Sequence, residues 1–181
     1  MTSKFKTSTD SEIILTELMQ PNYSNFSGKI HGGFILSLMD KAAFACASKY
    51  SGQYCVTASV NRVDFLNPIE VGELVTMKAQ INYVGNTSMV VGIRVESQNI
   101  QTGEIKHCNS SYFSMVAKDE KGKNVKVPGL IIRNNNEMRR FLRSIKRLKS
   151  SNERDQEFKL ENFNPDLYKH HLDSYNIKFQ F

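Results

Sequence analysis

The chain has no apolar run long enough to span a bilayer, which excludes a helical membrane protein. Its first residues, MTSKFKTSTDSEI, hold neither an apolar core nor a small-residue cleavage site, so no secretory leader is expected. Together these absences predict a cytoplasmic protein. Cysteine is scarce: Cys46, Cys55 and Cys108 are three in 181 residues, an odd number without C-x-x-C spacing. They read as buried thiols in a reducing compartment rather than a disulfide frame or a zinc site. The four histidines, His31, His107, His170 and His171, lack metal-ligand spacing, so no metal is expected. No G-x-S-x-G elbow surrounds Ser37 or Ser88, which argues against a serine nucleophile. No repeat of solenoid type occurs, and no helix-turn-helix pattern precedes the main apolar region.

What the chain does have is concentrated between Asn25 and Tyr50, NFSGKIHGGFILSLMDKAAFACASKY. Turn-forming residues lead through His31-Gly32-Gly33 into a run in which Phe34, Ile35, Leu38, Met39, Ala42 and Phe44 occupy nearly every side of a helix. A helix apolar all round is expected in a core. Asp40 interrupts it. An ionised carboxylate on a buried helix is costly unless paired, and its same-face neighbours Leu36, Ser37, Ala43 and Phe44 carry no positive charge. Asp40 is therefore either a capped carboxylate at the mouth of the core or a catalytic acid or base. The glycine pair is open to two readings as well. It makes a tight turn, or it brings the unpaired N–H groups of a helix start close to an anion or a developing oxyanion.

The pattern N-x-x-G-x-x-H-G-G at Asn25–Gly33, followed by L-x-x-M-D-x-A-A at Leu36–Ala43, resembles the acyl-CoA thioesterases of the hotdog fold, of the cytosolic acyl-CoA hydrolase type. Residues 56–73, VTASVNRVDFLNPIEVGE, and the turn VGNTSM at 84–89 extend the resemblance over residues 10–128. It implies an α+β domain in which a curved antiparallel sheet of five to six strands wraps one long helix. It implies hydrolysis of acyl-CoA to free acid and coenzyme A, with no cofactor because coenzyme A is part of the substrate, with Asn25 and Asp40 as the catalytic pair drawn from opposite subunits, and Asp40 as base or nucleophile. His31, Gly32 and Gly33 would bind the thioester oxygen or line the substrate, and Asn86, Thr87 and Ser88 would meet coenzyme A. The family often carries a basic residue where Asn86 stands, which weakens a phosphate clamp at that turn. The resemblance further implies a homo-oligomer, a dimer at least and a hexamer of three dimers by the closest type. Two other functions compete: a non-catalytic acyl-CoA-binding regulator with a nucleic-acid-contacting tail, and a hydratase of the same fold using His31.

The rest of the chain fits an antiparallel meander. Glu12–Met19 reads as a first strand, and the helix is expected over residues 33–50. Strands are expected at 54–65, 73–84, 89–96 and 105–117, the middle two with clear alternation and Gly-rich turns between them. Arg62 and Asp64 share a strand face and read as a structural pair or an interface contact. Residues 1–10 are polar and expected to be mobile. Pro128-Gly129 is the expected boundary of a second segment, 129–181. Net charge is +2 for residues 1–129 and +4 beyond, within a total of +6. Met138, Phe141, Leu142, Ile145 and Leu148 recur at helical spacing there among basic residues. The first reading of this basic helix is a stripe docked on the domain with a solvated back; anionic membrane and nucleic acid are its alternatives. Phe158, Phe163, Tyr168, Tyr175, Phe179 and Phe181 make the tail too aromatic for a plain solvating segment.

Overall fold

The computed structural model describes residues 4–159, 163–164 and 175–178. Tyr168, Phe179 and Phe181 of the aromatic tail, and His170 and His171, lie outside them. The described chain contains β1 (Phe5–Thr7), β2 (Ile13–Leu18), α1 (Gly32–Ser51), β3 (Tyr54–Val60), β4 (Leu74–Val84), β5 (Ser88–Gln98), β6 (Ile105–Lys118), β7 (Gly129–Ile131) and α2 (Asn135–Glu157). Five strands form one curled antiparallel sheet in the order β2-β4-β5-β6-β3, wrapped around α1. Among the described residues no helix is long and apolar enough to cross a membrane.

Alternation along the strands builds the inner face of this sheet. Val75, Met77, Ala79 and Ile81 of β4, Met89, Val91, Ile93 and Val95 of β5, and Phe113, Met115 and Ala117 of β6 are buried. A strand's period of two puts each set on one side. Against them α1 buries Ile35, Leu38, Met39, Ala42, Ala43, Cys46, Ala47 and Tyr50. Small residues at 42, 43 and 47 let the sheet approach the helix axis. The helix stops where Gly52 turns left-handed, φ 69°, and its N–H closes on Ser48 O.

Two expectations about α1 need correction. The helix is not buried on all sides: Gly33, Ser37, Asp40, Lys41 and Phe44 are exposed. The small apolar residues that made the run look continuous belong to one face, and the opposite face is open along the line that carries Asp40. Asp40 is consequently a solvent-facing carboxylate in this chain rather than a buried charge.

The amino-terminal segment is also more ordered than its polarity suggested. Phe5–Thr7 pairs in parallel with Gly129–Ile131. Lys6 Nζ donates to Tyr50 O at 2.7 Å, and Tyr50 Oη donates to Gly129 O at 2.7 Å. The Phe5 ring lies over Gly129, where a Cβ would come within 2.5 Å of it. The first compact unit therefore runs past Pro128-Gly129 to Ser144, with a second from Ile145. Within the first unit the opening turns of α2 are docked through Glu137 and Phe141, whereas Met138 and Leu142 of the expected stripe are exposed. Ser8 donates to Glu137 at 3.0 Å and the Phe141 ring lies 5.1 Å from that of Tyr83.

Candidate active site

Asp40 and its surroundings are positioned by α1 and the edge strand β3. Thr57 on β3 donates from Oγ1 to Asp40 Oδ1 at 2.6 Å. Thr57 precedes a shift of register between β3 and β6, and such bulges re-aim side chains at strand edges. The same hydroxyl also lies 3.4 Å from Met115 Sδ, a far weaker partner. Sequence reasoning singled out Asp40 but not Thr57. The signal was available only as a hydroxyl on a neighbouring strand, with no local spacing to relate it to the helix. Beside the pair opens a cleft of about 330 Å³ walled by Lys41, Phe44, Tyr54, Cys55 and Val56. Phe44 and Tyr54 meet edge to face with ring centroids 5.7 Å apart.

The helix start is built by the loop before it. His31 is the N-cap, and its Nδ1 accepts from Gly33 N at 3.0 Å. His31 N donates to Tyr23 O, and the Tyr23 ring stacks on Phe34 at 3.8 Å, fixing the angle at which the chain enters α1. The Gly33 N–H is therefore engaged. The Gly32 N–H has no partner among the described residues, and Phe65 covers that glycine, its ring 3.1 Å from where a Cβ would stand. Of the two helix-start donors expected, Gly32 is the one left available.

Asn25 occupies a short hairpin closed by Ser24 and Ile30. Its Oδ1 accepts from Ser27 N at 2.9 Å, Ser27 Oγ at 2.7 Å and Lys29 N at 3.2 Å. Two of these are backbone donors, which settles the amide orientation: the oxygen faces the loop, and Nδ2 has no partner among the described residues. Gly28 holds φ 77° at the turn. The turn at Asn86–Ser88 is tied into the sheet by its carbonyls, with Val127 N on Asn86 O and Ala117 N on Thr87 O. Ser88, Val116 and Val56 lie in register across β5, β6 and β3, so this turn shares an end of the sheet with Thr57, two strands away or about 10 Å. Arg62 and Asp64 form an exposed ion pair at 2.8 Å, but on the chain beyond β3, which ends at Val60 rather than at residue 65, so they share no strand face. Among the described residues no group of three His, Cys, Asp or Glu side chains is placed to hold a metal ion.

A family model described as Thioesterase superfamily matches residues 27–104. The chain is 45% identical to protein VdlD of Helicobacter pylori over 136 residues, covering 75% of this chain and 78% of that one. A hexameric acyl-CoA thioesterase solved without ligand superposes with a TM-score of 0.81 at 33% identity, over 83% of this chain and 97% of its own. An acyl-CoA hydrolase of Staphylococcus aureus, solved with butyryl-coenzyme A, coenzyme A and coenzyme A disulfide, gives a TM-score of 0.78 at 27% identity, over 84% and 93%. That hydrolase has also been solved with one aspartate, and separately a threonine seventeen positions later, replaced by alanine. With a curled five-stranded sheet around one long helix, and with the two solved structures matched over more than nine-tenths of their lengths, the chain belongs to the thioesterase superfamily and is an acyl-CoA thioesterase of the hotdog fold.

Proposed function

We propose that the enzyme hydrolyses acyl-CoA with Asp40 as general base, on a water at the mouth of the cleft lined by Phe44 and Tyr54. The observation that carries this reading is the Thr57–Asp40 hydrogen bond at the wall of a cleft lined by Lys41, Phe44, Tyr54, Cys55 and Val56. It ties one carboxylate oxygen and leaves the other free to take a proton. Asp40 and Thr57 are seventeen residues apart, the spacing of the aspartate and threonine replaced in the Staphylococcus aureus hydrolase. Water attack on the thioester carbon puts negative charge on its oxygen. The Nδ2–H of Asn25 and the Gly32 N–H, both from the subunit opposite the one that supplies Asp40 because Gly32 and Asp40 of one helix stand about 12 Å apart, are the donors suited to hold it. The tetrahedral species then expels the coenzyme A thiolate, which takes up a proton to leave as the thiol. His31 spends Nδ1 on the helix cap and lines the site rather than moving protons. The Asn86–Ser88 turn takes part of coenzyme A through its hydroxyls and amides.

The hexameric neighbour supports assembly of this chain as at least a dimer and further as a hexamer; the family resemblance, not that neighbour, is what assigns Asn25 and Asp40 to different subunits. Sedimentation at micromolar concentration with an active, stable monomer contradicts that assembly. The activity itself is tested by free-thiol release from acyl-CoAs of two to sixteen carbons. Turnover of at least one of them is expected. Tight binding of acyl-CoA with no thiol release by folded protein favours a regulator instead.

A further inference from the structure

The Asn25 hairpin does not stand alone. Asn25 N donates to Lys29 O at 2.7 Å, Gly28 N donates to Asn25 O at 3.0 Å, and Ile30 N donates to Ile69 O at 2.9 Å. Lys29 and Glu70 face each other as an isolated antiparallel bridge, and their side chains form an ion pair. Glu70 is fixed in turn, because its N–H donates to Glu73 Oε2 at 2.9 Å. Glu73 is buried and its other oxygen meets Lys106 Nζ at 2.8 Å. Burial works against the Glu73 charge, but the Lys106 bond, the Glu70 N–H and Ser97 outweigh it and hold the carboxyl below its ordinary range. The hairpin is thus mounted on residues 69–73, and these are pinned to β6.

We infer that the Lys29–Glu70 ion pair is a positioning pair for the Asn25 amide. Lys29 serves twice: its backbone N–H is one of the three donors on Asn25 Oδ1, and its ammonium is the side-chain tie from the hairpin to the platform. Loss of the tie frees the hairpin to pivot about the Ile30–Ile69 bond, and Nδ2 drifts from the thioester oxygen. The inference rests on the reading of Asn25 as an oxyanion donor. Both side chains are about two-fifths exposed, 44% and 41%, so the pair contributes little to global stability. Small displacements of a positioned donor are by contrast expensive in rate.

The test is a kinetic double-mutant cycle with thermal melts on the same full-length preparations. Glu70→Gln and Lys29→Met are each expected to lower kcat about tenfold, with KM for acyl-CoA little changed. The melting temperature should move by no more than about 2 °C. Reversal of the pair, Lys29→Glu with Glu70→Lys, should return kcat to within about threefold of the parent. In an Asn25→Ala background Glu70→Gln should have no further effect, because the group it positions is gone. Additive losses in that background, or single variants with full turnover beside an impaired Asn25→Ala, overturn the positioning role alone. An Asn25→Ala enzyme with full turnover overturns the reading of Asn25 and this inference with it.

Discussion

Replacing Thr57 with Val isolates one hydrogen bond. Valine matches threonine in shape, and strands favour it at least as well, so β3 should keep its structure and the melting temperature should not fall. What disappears is the O–H donated to Asp40 Oδ1 at 2.6 Å. A hydrogen bond to a charged group contributes ~1.5–3 kcal/mol in mutational series. Both residues are exposed in this chain, which places the loss at the lower end, about 1.5 kcal/mol. If that bond fixes the carboxylate for proton abstraction, the loss appears in the transition state. At 1.4 kcal/mol per decade it lowers kcat about tenfold. The weaker contact to Met115 Sδ cannot replace it, since a thioether offers no donor. Thr57→Ser retains the hydroxyl and should stay within about threefold of the parent. The assay is thiol release from the preferred acyl-CoA, with kcat and KM resolved. A Thr57→Val enzyme with unchanged kcat refutes the idea that Thr57 orients Asp40. Equal losses in the Val and Ser variants place the effect in packing instead.

Gly92→Ala should destabilise the fold, because a Cβ there would come within 2.1 Å of Asn82 Nδ2 on a buried side chain. Overpacking of this kind costs ~1–3 kcal/mol, or roughly 2–10 °C in melting temperature. Combination with Asn82→Gly should recover most of it, and an unchanged melt for the single variant contradicts the packing. The Glu73 carboxyl, held below its ordinary range chiefly by Lys106 once burial is overcome, contributes stability that is present above its unfolded pKa and lost as pH falls through the folded one. Glu73→Gln should therefore be destabilised at neutral pH and lose part of the parent's decline below about pH 4.5, read from denaturant midpoints. Parallel pH profiles for the two proteins contradict this. Cys46 is buried and its thiol is pushed up to about 12, desolvation being the main cause. Native protein at pH 8 should leave it unmodified by a thiol reagent that labels all three cysteines after unfolding.

The strands with strict alternation, β4 and β5, were legible almost to the residue, because burial of one face leaves no other register for Val75–Ile81 or Met89–Val95. The helix was legible for its length, but not for its exposed side. Alanines at 42, 43, 45 and 47 carry no directional signal, so the open edge at Asp40 became visible only with the sheet in place. The pairing of Phe5–Thr7 with Gly129–Ile131 joins segments more than 120 residues apart, and nothing local in either short stretch announces it. Of the proposed site, Asn25, His31, Gly32, Gly33 and Asp40 share one continuous stretch of sequence. Thr57 and the Lys29–Glu70 tie depend on which strand and loop fold back beside that stretch. The engagement of the Gly33 N–H by His31 is a rotamer choice that sequence does not record.

The central claim is that the chemistry resides on Asp40, and Asp40→Asn tests it most directly. The change preserves size and can still accept from Thr57, but it removes the charge and the basicity. Because Asp40 is exposed on α1 rather than buried, the melt should stay close to the parent's. Thiol release measured at saturating acyl-CoA should fall roughly 10²-fold or more, with KM nearly unchanged. A folded Asp40→Asn enzyme that turns over at the parental rate would contradict the account.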